Sequence, residues 1–308
     1  MGVWSRLLVA AVGLAVSSCG QAGTSDGEAG GPAIGTLEWA ATGDWRTDEQ
    51  KARDAWRHPV ETLRFFGVEG DDTVVELFPG GGWYSEILAP YLKAGGGQLI
   101  AAGPDPAASD YARRNVEAYS AHFGADPDLY GNIMLTIASR DSDGIAPEGA
   151  ADVVLTFRNI HNWMAGGYAD KIFADAYRAL KPGGVLGVVE HRLPSAWDQD
   201  LAARTGYVHQ AYVVELAQDA GFEFVEASEI NANPGDPANH PLGVWMLPPN
   251  LRAPAADSPE AEAYDPEIYT TIGESDRMTL LFRKPAPPSE AAPEPASRQD
   301  PVEASGPI

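Results

Sequence analysis

The stretch Thr73-Val-Val-Glu-Leu-Phe-Pro-Gly-Gly-Gly-Trp83 decides the fold. Thr73–Phe78 is a short apolar run with Asp71 and Asp72 before it and Pro79 through Gly82 after it. Such a run, bounded by turn residues, reads as a buried strand. Beyond the glycines, Ile87, Leu88, Tyr91 and Leu92 recur at helical spacing, so a helix opens where the turn ends. Pro90 falls inside that helix and predicts a kink or an early stop, because proline has no N–H for the preceding turn.

Outward from this point, strand and helix patterns alternate. Further strands are expected at 98–102, 133–138, 152–157, 185–190, 222–230 and 278–283. Helices are expected at about 106–122, 168–180 and 206–220. Upstream, Thr47-Asp-Glu-Gln50 is a capping-box pattern, and His58-Pro59 separates the helix it starts from a second one ending at Gly67. The alternation implies an α/β fold with a doubly wound, mostly parallel sheet of seven strands. Such sheets bind ligands beyond the carboxyl ends of their strands, where strand order reverses. The long segment 231–275 is rich in Pro, Gly and Asn and has little periodicity. Loops of that length are usually functional, so it is expected to pack over the sheet edge or the pocket.

Composition narrows the function classes. The 308 residues carry 44 acidic and 21 basic side chains, a formal net charge of −23. That balance excludes a nucleic-acid binder, which needs clustered Lys and Arg. Hydrophobic residues make up 44%, enough for a sizeable core. The single cysteine, Cys19, excludes an internal disulfide and a cysteine-based zinc cluster.

The two ends read differently from the middle. Arg6, the apolar run Leu7–Val16 and the small residues Ser17 and Ser18 resemble a bacterial lipoprotein signal, with Cys19 as the lipidated residue. An ordinary signal peptide with an incidental cysteine is the other reading. The resemblance implies an exported protein on the periplasmic face of the envelope, held by a lipid anchor only. Gly20 after the cysteine favours the outer membrane. Residues 20–37 read as a flexible tether, 38–284 as one folded domain, and the Pro-rich 285–308 as a disordered tail. Nothing in the sequence demands a dimer, and a monomer is expected.

An acidic residue at a strand end, Glu76, followed by glycines spaced by two, resembles motif I of the class I S-adenosylmethionine-dependent methyltransferases. The turn Leu180-Lys-Pro-Gly-Gly184 before a strand is a frequent feature of the same fold. The whole of 68–284, with its export signal, is similar to a family of exported predicted methyltransferases. The resemblance implies that the last strand, 278–283, runs antiparallel, that S-adenosyl-L-methionine is the cofactor, and that a small molecule or envelope component is the methyl acceptor. Glu76, Phe78, Gly80, Gly81 and Gly82 are the implied cofactor-binding residues of the turn. Phe78 stands where the family has its first glycine, and Pro79 removes an N–H, so this turn is expected to differ from the usual one. The acid expected at the end of the second strand is missing, and Asp105 is the nearest replacement. Asp141, after the third strand, is the candidate for an adenine-edge contact, and Asn159 for a cofactor contact after the fourth. The other reading of each acid is a helix cap or a solvated turn.

The acceptor side is expected where the fourth and fifth strands end, at Arg158, His161, Glu190 and His191. His161, His191 or Glu190 can take a proton from an acceptor, and Arg158 can neutralise an acidic substrate. Glu190, His191 and His161 also form an imidazole–carboxylate set, but no H-x-x-x-H spacing accompanies it, so no metal is expected. A non-catalytic exported binding protein with the same pocket is the alternative function, because a lipoprotein stands apart from the cytosolic supply of the cofactor.

Overall fold

A computed structural model describes residues 31–286. Cys19, the signal segment and nearly all of the Pro-rich tail lie outside the described residues. Among those described, no helix is long and apolar enough to cross a membrane.

Seven strands form one sheet: β1 Thr73–Leu77, β2 Gln98–Gly103, β3 Met134–Ile137, β4 Ala151–Phe157, β5 Leu180–His191, β6 Glu223–Ser228 and β7 Arg277–Arg283. Their order is β3-β2-β1-β4-β5-β7-β6. β1 through β5 pair in parallel, and β7 runs antiparallel to both β5 and β6. The expected seven-stranded, mostly parallel sheet with an antiparallel last strand is therefore present. Strand order reverses between β1 and β4, which places a crevice beyond their carboxyl ends.

Alternation along β1 explains the two layers. Val74 packs into one core with Leu99, Leu155, Leu88 and Phe66, while Val75 and Leu77 pack into another with Val154, Leu186, Phe173 and Trp163. The central strands β1, β2 and β4 are buried on both sides and read as continuous apolar runs, whereas the edge strands β3 and β6 are largely exposed.

The helix Ser85–Gly95 runs past Pro90 to a glycine cap at Gly96, without the early stop that proline predicts. The reason is a substitute donor. Pro90 leaves the Glu86 carbonyl without its helical N–H, and the indole N–H of Trp45 donates to that carbonyl at 2.8 Å. Upstream, the capping box of Thr47 and Gln50 is formed, and His58 turns the chain with a left-handed φ of 38° before Pro59 opens the next helix. The segment after β4 also holds an additional short helix, Ile160–Gly166.

The segment 231–275 is tied down at several points. Asn231 bonds Thr62 and Thr279 through its amide, and Asn233 bonds the carbonyls of Ile272 and Glu274. Its Trp245 ring stands 6.1 Å from that of His161, beside the strand ends.

Candidate functional site

The turn after β1 shapes the site. Phe78 continues the ladder by donating to the Ala102 carbonyl, then takes a left-handed φ of 48°. The residue in the place of the family's first glycine thus adopts a glycine-type backbone, at a cost of about 1–2 kcal/mol. Its ring is held 5.6 Å from Trp163. Gly80 follows at φ 59°, and a side chain there would meet open space. Gly82, at φ 83°, is different: a Cβ would stand 2.4 Å from the Phe123 ring. Gly80 leaves room beside the turn, whereas Gly82 lets a helix pack against it.

Glu76 sits under this turn rather than in the open. It is buried and accepts a 2.6 Å hydrogen bond from the Ser85 hydroxyl, which in turn accepts from the Tyr119 hydroxyl. Burial pushes its carboxyl up to about 7, with Ser85 pulling the other way. The carboxylate thereby fixes the turn to the first helix after it and to the helix Asp110–Gly124.

Beyond Gly80 lies a cavity of about 650 Å³. Its walls come from the β1 turn (Phe78, Pro79, Gly80), the end of β2 (Gly103, Pro104), helix 110–124 (Tyr111, Asn115, Tyr119), β3 (Leu135, Ile137) and the segment after β4 (Asn159, Asn162). The wall is mostly apolar, with a few amide and hydroxyl groups, as ligand cavities of this size are. Asn159 bridges two strand ends, donating to the Leu77 carbonyl at 3.0 Å.

Of the sequence-predicted cofactor residues, Phe78, Gly80 and Asn159 line this cavity, while Glu76, Gly81, Gly82, Asp105 and Asp141 do not. Asp105 lies between two wall residues, Pro104 and Pro106, and its carboxylate caps the turn by accepting from the Ala107 N–H. Asp141 is exposed.

The expected neighbours at the other strand ends do meet. Glu190 is fully buried at the end of β5. One of its oxygens accepts from the Ile160 N–H at 2.6 Å, and the other from the His191 N–H at 2.8 Å and from His161 Nδ1 at 3.1 Å. An ionised carboxylate only accepts, so with Glu190 ionised His161 donates from Nδ1 and its Nε2 is the nitrogen open to a substrate. The ring of His191 lies 5.3 Å from that of His161, and its Nδ1 faces the Ser275 hydroxyl. Burial, then His161 and the guanidinium groups of Arg158, Arg277 and Arg57, hold His191 well below the usual histidine range. His191 is therefore neutral at neutral pH. Ligand atoms of His161, Glu190 and His191 lie within 4.8 Å of one another, close enough for a metal ion.

Arg158 has a left-handed φ of 63° at the end of β4. Burial, then Arg277, lower its guanidinium to about 10. Sequence reading gave no role to the charged groups that act on it, Arg53, Arg57, Glu274 and Arg277. Arg57 ends a short helix before β1, Arg53 caps that helix at its start, and Glu274 through Arg277 lead into β7. They are far apart in sequence, and no short motif joins them.

No protein-family model matches the sequence, and no curated protein matches it. Solved structures do. The (4+2)-cyclase SpnF is 18% identical, over 80% of this chain and 86% of that one, with a TM-score of 0.53. A candidate methyltransferase from Bacillus halodurans is 13% identical, over 75% of this chain and all of that one, with a TM-score of 0.50. A SAM-dependent methyltransferase from Aquifex aeolicus is 16% identical over 58% of this chain and 87% of that one, at 0.45. This chain has the Rossmann-like methyltransferase fold. Identities this low show the fold alone, and one of its bearers is a cyclase, so the fold does not decide the chemistry.

Proposed function

We propose that this protein is an S-adenosylmethionine-dependent methyltransferase acting on a small molecule or an envelope component. The observation that carries the reading is the cavity at Gly80, which runs from the β1 turn across the ends of β2 and β3. The open space at Gly80 admits a ligand against bare main chain, and no cradle for a pyrophosphate is needed. Phe78, Gly80 and Asn159 would border the cofactor, with Asn115 and Ser109 offering polar contacts and Tyr111, Leu135 and Ile137 an apolar wall. When bound, S-adenosylmethionine supplies an activated methyl group.

The chain itself supplies position and a base. Asn159 locks the β4 end to the β1 turn, so the two sides of the crevice hold a fixed separation, from which much of the acceleration of a two-reactant step comes. His161, oriented by Glu190, can take a proton at Nε2 from an acceptor that carries one. We further propose that Cys19 carries a lipid and anchors the protein to the outer membrane.

Asp105 favours a second reading. Its carboxylate accepts from a turn N–H, and among the described residues no acidic side chain lines the cavity. A non-catalytic binding protein needs none. Calorimetry of S-adenosylmethionine and S-adenosylhomocysteine with the full chain separates the two. Micromolar binding, lost in Gly80→Asp, supports the methyltransferase. Absence of binding at millimolar ligand sinks it.

A further inference from the structure

Three guanidinium groups meet on one carboxylate, Glu274, and the charge of a fourth, Arg158 at the end of β4, acts on the same carboxylate. Arg53 Nε donates to Glu274 at 2.6 Å, Arg57 Nε donates to it at 3.1 Å, and Arg277 also bonds it. Arg158 makes no side-chain hydrogen bond among the described residues. Burial would raise the Glu274 carboxyl, yet Arg277, Arg57, Arg158 and Arg53 together hold it down at about 2. Among the described residues Glu274 is the one carboxylate bonded to any of these four guanidinium groups, in a chain that is otherwise strongly acidic.

Not every donor of the group finds an acceptor. Arg57 is 1% exposed, and its Nη2 has no partner; Nη2 of Arg53 is likewise buried and unbonded. Buried guanidinium N–H groups are costly to leave unmade, and a site held in that state is one that expects an acceptor. The Trp83 ring lies under Arg57 at 4.5 Å, which fixes the plane of that guanidinium. Arg158 stands one residue before Asn159, a wall residue of the cavity, and three before His161.

A metal at His161, Glu190 and His191 fits this setting poorly. The Glu190 oxygens already accept from two backbone N–H groups and from His161. The arginines that act on His191 would repel a cation there and attract an anion.

We propose that Arg158, with Arg57 and Arg53, forms an oxyanion pocket that holds the carboxylate or phosphate group of a small anionic methyl acceptor. Guanidinium forks suit both groups, which they bind in a bidentate manner. That the bound molecule is the methyl acceptor rests on the methyltransferase reading; the pocket itself does not.

The test is thermal unfolding of the full chain at fixed ionic strength, with sodium chloride replaced stepwise by inorganic phosphate or by acetate. Either anion should raise the wild-type Tm by about 2–4 °C at saturation. Arg158→Gln should abolish that rise, and Arg158→Lys should keep part of it. Without added anion, Arg158→Gln should melt above the wild type, because it removes one charge from a crowd of like charges. A structural arginine would give the opposite sign. Phosphate alone raising the Tm assigns the pocket to phosphate esters, and acetate alone to carboxylates. No rise with either anion, or an equal rise in Arg158→Gln, overturns the proposal. The S-adenosylmethionine titration is independent: its failure alongside an Arg158-dependent rise would leave the pocket standing and remove the methyltransferase.

Discussion

Glu76 has a structural neighbourhood and a measurable signature. Its folded pKa of about 7 lies above the ordinary value of 4.5. The folded state therefore holds a proton that the unfolded state has released between those values. Its contribution is full below about pH 4.5 and lost as pH rises toward 7, a change on the order of 2–3 kcal/mol. Glu76→Gln has no such proton to lose, so its Tm relative to the wild type should be higher at pH 8 than at pH 4.5; equal differences would show that the carboxyl is not perturbed. Glu274 works with the opposite sign. Its pKa is depressed to about 2, so its contribution is present above about 4.5 and lost as pH falls toward 2. The glycines make a third contrast at this scale. Gly82→Ala should destabilise by about 2–4 kcal/mol, since it forces a Cβ into the Phe123 ring on a left-handed backbone. Chemical denaturation measures it, and a loss below 1 kcal/mol would mean that helix 110–124 yields freely. The motif shows glycines at both positions, but which one faces space and which one faces an aromatic ring is set by a helix some forty residues downstream.

The helix after the turn shows how far local rules reach. Its apolar spacing placed it correctly, and of the kink or early stop that Pro90 predicted, the early stop does not occur. Trp45, far back in the sequence, supplies the missing donor to the Glu86 carbonyl. Trp45→Phe should cost about 1–3 kcal/mol through the unsatisfied carbonyl, beyond any loss of packing. In a Pro90→Ala background the helical N–H returns, and the same change should cost less. Equal costs in both backgrounds would place the whole effect in ring packing. At the strand ends, the resemblance to the methyltransferases, which implies adjacent fourth and fifth strands, was enough to bring His161 beside Glu190 and His191. It could not show that Glu190 faces two backbone N–H groups, because that depends on the helix Ile160–Gly166, for which the sequence has no strong start signal.

At the scale of the molecule, the sheet was legible because each strand is a short apolar run between turn residues, and because helices and strands alternate. The long segment 231–275 was legible only as an exception to that rhythm. Its anchoring through Asn231, Asn233 and Asp236 uses polar side chains whose partners lie far off in the chain. The arginine cluster was illegible for the same reason: Arg53 and Arg57 reach Glu274 across separations of 221 and 217 residues.

Those separations bear on the order in which the molecule can be made. β7 lies between β5 and β6, so the sixth strand has no neighbour in the sheet until the seventh arrives. Glu274, the carboxylate that Arg53 and Arg57 bond, precedes β7 by three residues. A ribosome working from the amino end completes the glycine turn and the cavity walls long before it emits that glutamate. Until then Arg53 and Arg57 wait without the carboxylate they bond, although Trp45 and Gln50 already hold the early segment to the helix after the glycine turn. The two halves of the crevice thus mature at different times, and the acceptor side closes only once Glu274 has been made.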